Sequence, residues 1–290
     1  MLKVNSNFFT AIGLSVAIIG FSACNNSGEN KAEAPKDSVA AAPKADTVNA
    51  TKKKAIEYKF ATVEANFPSP FEIVNDLYNY QAPFRKDLLN PASNADKYIS
   101  SFKKEIGFGV YGIDMAYINF YGQNQEMLSY YNVIQKLSRD LNMDKVFDMY
   151  IDRFKSNANN KDSVITIIDN VFNETDKYLR KNDRIVAASH LLAGALIELN
   201  YLSLNLLKDL KKTPENAPFF EKVYNENLYI YHLIKLYEEY TDKDSKELLA
   251  SLKDYRKSYD EIIKTSADLT PEKLAQATTL LNKVRTSMIK

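Results

Sequence analysis

The sequence predicts an all-α protein: about nine helices in antiparallel hairpins, packed as a helical bundle or short α–α solenoid around two apolar central helices. Three observations predict it. Prolines stand at 68, 70, 83 and 91 and then not again until 214. Within that span glycine occurs only at 107, 109, 112, 122 and 194, so both helix-interrupting residues are nearly missing from it. Apolar residues recur at three- and four-residue steps, and no stretch shows the alternation of a strand.

The elements follow in order. A helix over 70–80 lies between the prolines at 68 and 70 and the one at 83. The helix 95–121 holds the run Gly107–Gly122, which is apolar nearly all round and carries one acid, Asp114. Gly122-Gln123-Asn124 ends it and starts 124–141, whose stripe is Met127, Tyr131, Ile134, Leu137 and Leu141. Asn142-Met143-Asp144 starts 144–157, where Val146, Tyr150 and Phe154 are joined by Phe147 and Ile151. Asn160-Lys161-Asp162 starts 162–181, with Val164, Ile168 and Val171 on one face. The helix 183–210 contains Ile185–Leu210, again apolar on most faces. Thr213-Pro214 precedes 217–240, striped by Leu233, Leu236, Tyr237 and Tyr240. Thr241-Asp242-Lys243-Asp244-Ser245 caps 244–264, and Thr270-Pro271-Glu272 sets proline at the first position of 271–288.

The two apolar helices are rich in small residues: Gly109, Gly112 and Ala116 in one, Ala188, Ala193, Gly194 and Ala195 in the other. An interior glycine costs about 1 kcal/mol relative to alanine, and close backbone approach is the compensation. These helices are therefore expected to cross or lie against each other. They also align weakly at an offset of eighty residues, Lys97-Tyr98-Ile99 with Lys177-Tyr178-Leu179, which suggests an internal duplication.

Composition narrows the function. Lys+Arg 38 against Asp+Glu 37 argues against a nucleic-acid surface or a polybasic membrane patch. The one cysteine, Cys24, excludes an internal disulfide. Its setting is informative. Lys3 is followed by the uncharged run Phe8–Phe21 and by the small pair Ser22-Ala23, the pattern of a secretory signal over residues 1–23. The run is too short and too rich in small residues for a comfortable membrane span.

Phe21-Ser22-Ala23-Cys24 resembles a bacterial lipobox, with Phe21 where leucine is usual. That resemblance implies cleavage before Cys24 by signal peptidase II and a diacylglyceryl thioether on Cys24, with an N-acyl chain. Such anchoring is stable, because each buried methylene contributes about 0.8 kcal/mol. Asn25, rather than Asp, implies by the same resemblance an outer-membrane lipoprotein. The expectation is a palmitate-bearing protein facing the periplasm, with the cell surface as the alternative. Residues 24–66 are expected to be the lipidated cysteine and a flexible tether, since 25–55 hold almost no large apolar residue. Ile56, Tyr58, Phe60 and Val63 then suit an extended edge or more tether, and the domain is expected over 67–290.

No catalytic or metal motif is visible, and no cofactor is expected. There is no His-Glu-x-x-His and no His-x-x-x-His, and no serine sits in a nucleophile-elbow context beside His190 or His232. The site candidates are polar residues on the central helices. Asp114, Tyr117 and Tyr121 share one face. His190 and Glu198 lie on the other helix, and convergence with Asp114 would make a ligand or metal site. The alternative is that these groups form structural hydrogen bonds, for example Asp114 to a tyrosine hydroxyl.

Residues about 95–210 resemble a family of uncharacterised α-helical lipoproteins of the Bacteroidota type. The resemblance rests on Gly-Val-Tyr-Gly-Ile-Asp-Met-Ala-Tyr from 109, Asn-Lys-Asp-Ser from 160 and Ala-Gly-Ala-Leu-Ile-Glu from 193. It implies a shared fold and envelope location, and no activity. The function expected is a membrane-anchored, non-enzymatic binding or structural module of the periplasm or outer membrane. Its partners would be the membrane, through acylated Cys24, and an envelope protein, with no nucleic acid. The alternative is a small-ligand- or metal-binding protein or enzyme using Asp114, His190 and Glu198.

Overall fold

A computed structural model describes residues 50–66 and 70–290, and every regular element in them is helical. The expected signal, Cys24 and most of the tether lie outside the described residues. Ten α-helices run through the described chain: α1 Ala50–Asn66, α2 Pro70–Asn79, α3 Ser101–Phe120, α4 Asn124–Asp140, α5 Asp144–Asn157, α6 Lys161–Lys181, α7 Ile185–Leu207, α8 Ala217–Tyr237, α9 Lys243–Ile262 and α10 Pro271–Ile289. The chain is all-α, as expected.

Two boundaries differ from expectation. Residues 50–66 were expected as tether, yet they form α1. Its Ile56, Phe60 and Val63 recur at helical spacing and are buried against α8 and α7. Three apolar side chains are a weak signal in a polar stretch, and tertiary packing decides the outcome. The expected helix 95–121 is split. A 3-10 turn, Ala92–Lys97, precedes an extended Tyr98, and α3 begins only where the Ser100 hydroxyl caps the Lys103 amide at 3.2 Å.

The sharp helix ends share one device. Gln81, Gly122, Asn142 and Asp183 have positive φ, and the next amide returns five residues, as in Gln123 N to Ile118 O at 3.1 Å and Arg184 N to Leu179 O at 2.8 Å. This closing turn favours glycine and asparagine and reverses the chain tightly. Asn160, Asp242 and Thr270 cap α6, α9 and α10 with their side chains, as their sequence context predicts.

The centre is the α3–α7 pair, as the small residues predict. A methyl group on Gly109 would overlap the Leu191 carbonyl oxygen and stand 2.7 Å from the Ala195 amide nitrogen. One on Gly194 would overlap the Ile106 carbonyl oxygen and stand 2.9 Å from its carbon. Each glycine thus faces the carbonyl three residues before the other, while the pairs Glu105–His190 and Asp114–Glu198 advance along both chains together. The helices run parallel and meet about a local two-fold relation. Glu105 and His190, which bond to each other across it, are 85 residues apart, and so are the two glycines. That relation is local to the crossing and differs from the expected offset of eighty. Helix α7 is long and apolar enough to cross a membrane, but 83% of its most apolar window is buried inside the protein. Packing against α3, α6, α8 and α10 accounts for its composition.

Candidate functional site

The polar face of α3 holds an irregular strap. Residues 80–100 carry only two short 3-10 turns, so much of their backbone lacks helical partners, and buried backbone polar groups must find others. The Tyr121 hydroxyl donates to Ala82 O at 2.7 Å. The Tyr117 hydroxyl accepts from Arg85 N at 2.8 Å and donates to Pro83 O at 3.2 Å. Asp114 Oδ2 accepts from Asn90 N at 3.0 Å, and the Tyr111 hydroxyl donates to Pro91 O at 2.8 Å. The Tyr130 hydroxyl of α4 closes the row on Asn90 O at 2.9 Å. Asp114, Tyr117 and Tyr121 therefore act together, on the protein's own backbone.

Asp114 also meets Glu198, and both are fully buried. The cation between them and α10 is Arg285, which donates to both Glu198 oxygens, at 2.5 and 2.7 Å, and to Leu88 O at 3.2 Å. Its guanidinium also lies over the Tyr201 ring, 4.3 Å from the centroid. Burial raises the Asp114 carboxyl well above the usual carboxylate range. The Glu198 charge raises it further, and Arg285 and the Asn90 amide oppose the shift. Asp114 Oδ1 accepts no hydrogen bond. A proton retained there is a donor facing Glu198, and the trio is then neutral: one carboxylic acid, one carboxylate and one guanidinium.

This arrangement predicts a pH dependence. A raised folded-state pKa stabilises the fold fully below the unfolded value of about 3.9 and progressively less as pH rises toward the folded value. Asp176, pushed up to about 6 by burial and by Glu64, acts in the same direction and is spent by that pH. Above it, Asp114 and the fully buried Glu226, also raised by burial, carry the slope. Urea midpoints between pH 6 and 8 are expected to fall with pH. Asp114→Asn is expected to make that fall shallower, since it removes one of the groups whose pKa the fold raises. An unchanged slope would mean that Asp114 is ionised in the fold.

His190 does not join Asp114. It lies two turns before Glu198, about 12 Å along the helix. Its Nδ1 meets Glu105 Oε2 at 2.7 Å and its Nε2 meets Ser245 Oγ at 3.1 Å. Arg184 Nη2 stands 3.7 Å from the other Glu105 oxygen, while Arg184 Nη1 donates to Leu141 O at 2.8 Å. An acid, an imidazole and a hydroxyl in a row have the order of an acyl-transfer triad. Ser245 is 0% exposed, however, and its amide is tied to the Asp242 cap at 2.8 Å. A hydroxyl that solvent cannot reach does not reach a substrate, and the row joins α3, α7 and α9. The chain matches no protein-family model, no curated protein and no solved structure.

Among the described residues no three His, Cys, Asp or Glu side chains are grouped to hold a metal ion. Sequence reasoning missed Arg285, Glu105, Ser245 and Asn90. Arg285 and Glu105 sit in amphipathic stretches where a charge looks solvated, and nothing local marks them as partners of residues 85 or more positions away.

Proposed function

We propose that the protein is a lipid-anchored envelope protein whose helical domain acts by binding or by structure, not by catalysis. The observation that carries the non-catalytic reading is the commitment of Glu198, whose two oxygens are taken by Arg285. Asp114, Tyr117 and Tyr121 likewise serve the strap, and His190 serves Glu105 and Ser245. A catalytic carboxylate or imidazole needs an open side toward substrate, and these groups face one another.

The anchor rests on Phe8–Cys24 and on its resemblance to a lipobox. On that reading Cys24 carries the acyl chains, and the outer membrane, periplasmic side, is the location. Metabolic labelling with palmitate tests it. The wild type is expected to incorporate label and to fractionate with the outer membrane, and Cys24→Ala is expected to do neither. Label that persists in Cys24→Ala would overturn the anchor. For the domain, an alkyl fluorophosphonate is expected to leave the protein unlabelled, and labelling that disappears in Ser245→Ala would restore the enzymatic alternative.

A further inference from the structure

A cavity of about 280 Å³ opens between α1, α2, α3, α6 and α7. Its floor is made of Gly112, Ala116, Ala188 and Ala195, small residues of the two central helices. Only part of their smallness serves the crossing. Gly109 and Gly194 admit the opposing backbone, whereas Gly112 faces the Phe172 ring. Phe60, Phe71 and Phe172 wall the cavity, and Ile113, Leu191 and Leu192 extend the apolar lining. Since a water molecule's share of liquid is about 30 Å³, the space holds roughly nine groups of that size, near the lower end of ligand pockets.

The polar lining is one-sided. Among the described residues Glu64, Asp169, Asp176 and Asn173 contribute it, with no cationic residue. Arg180, beside the cavity, pairs with Asp176 Oδ2 at 2.5 Å and stands 3.7 Å from Glu64. Asp169 has the Asn173 amide at 3.2 Å. Asp176 Oδ1 is buried with no hydrogen-bond partner. Burial with Glu64 raises Asp176 to about 6 against the pull of Arg180, so this carboxylate is under-compensated. Glu64 and Asp169 are exposed at the rim, and the buried Asp176 oxygen, whose carboxylate shares one guanidinium with Glu64, leaves a place for a further charged donor. An ammonium supplies three.

We propose that this cavity binds a small amphiphilic amine, its apolar body between Phe60, Phe71 and Phe172 and its ammonium at Asp176 and Asp169. Charge selects the amine over the molecule of the same shape with another head group, because a hydroxyl offers one uncharged donor where the ammonium offers three charged ones, and a carboxylate is repelled. The aromatic walls favour a ring on the ligand. The site is separate from the anchor and does not rest on it.

Calorimetry on the full-length protein in phospholipid nanodiscs tests the proposal, with empty discs as blank and 4-phenylbutylamine, 4-phenylbutanol and 4-phenylbutyrate as probes. The amine is expected to bind at one site about tenfold or more tighter than the alcohol, and the carboxylate not at all. Asp169→Asn with Asp176→Asn is expected to bring the amine to the alcohol's affinity. Ala188→Leu, which fills the floor, is expected to weaken both. Should that variant fail to fold, Leu192→Lys, at a partly buried position of the lining, is expected to abolish the preference for the amine. Cys24→Ser is expected to leave amine binding unchanged, which separates this site from the anchor. Equal affinity for amine and alcohol, no binding of either, or an amine affinity unmoved by the paired aspartate change would overturn the proposal.

Discussion

Arg285→Met is expected to destabilise the protein by about 3–5 kcal/mol, the range for removing one partner of a buried ion pair. The substitution keeps most of the side-chain volume, so little of the loss is packing. What it removes is the cation that the described residues place beside Glu198 and Asp114, together with two donors to Glu198 and one to Leu88 O. Two buried carboxyl groups then face each other without compensation. An exposed pair such as Lys177 with Glu174, at 65% and 38% side-chain exposure, contributes about 0–1 kcal/mol and predicts no comparable effect. The paired change Glu198→Met with Arg285→Met is expected to recover most of the loss, because it leaves a neutral Asp114 among apolar groups. Urea midpoints of the three variants decide the matter. If the single change costs under about 1 kcal/mol, the pair does not hold α10 to the core. If the double variant is no better than the single, the loss comes from the Leu88 contact or from packing.

Gly109→Ala and Gly194→Ala are each expected to lower stability by about 2 kcal/mol or more, against the sign of helix propensity. Propensity alone favours alanine by about 1 kcal/mol. The added methyl groups would overlap the carbonyl oxygens of Leu191 and Ile106, and these belong to backbone already fixed in helical hydrogen bonds. Relief requires the central helices to part, which unpacks everything against them. Gly112→Ala is the internal control. Its methyl would also overlap a neighbour, Phe172 Cζ, but that atom is the far end of a side chain that borders the cavity and has room to turn, not backbone. It is expected to be near neutral. Equal losses at all three positions would mean that the crossing is no tighter than the rest of the core.

The face Asp114–Tyr117–Tyr121 is legible because helical spacing alone puts those side chains together. Its purpose is not legible, because the groups it binds are backbone atoms of residues 82–90, and backbone carries no sequence signal. The same division separates the acids. Glu198 stands out as a charge in an apolar helix, while Arg285, which neutralises it, looks like an ordinary surface arginine of an amphipathic helix. His190, a rare polar residue on a buried helix, reads from the sequence as a partner of Asp114 and Glu198, and the structure gives it Glu105 and Ser245 instead.

The helices, their caps and the need for one close crossing come from the sequence by itself. Proline and glycine placement, Asn160, Asp242 and Thr270 as caps, and small residues on two apolar runs all act within about one turn of chain. Only the tertiary structure decided that α1 is a helix, that residues 80–100 form a strap, and which charges pair. Those outcomes depend on burial created by elements distant in the chain. The energy of a buried charge is set by its partner rather than by its neighbours in sequence. Gly107–Gly122 shows both halves: its glycines already announce close packing, and only the fold shows that Gly109 serves the crossing while Gly112 borders the cavity.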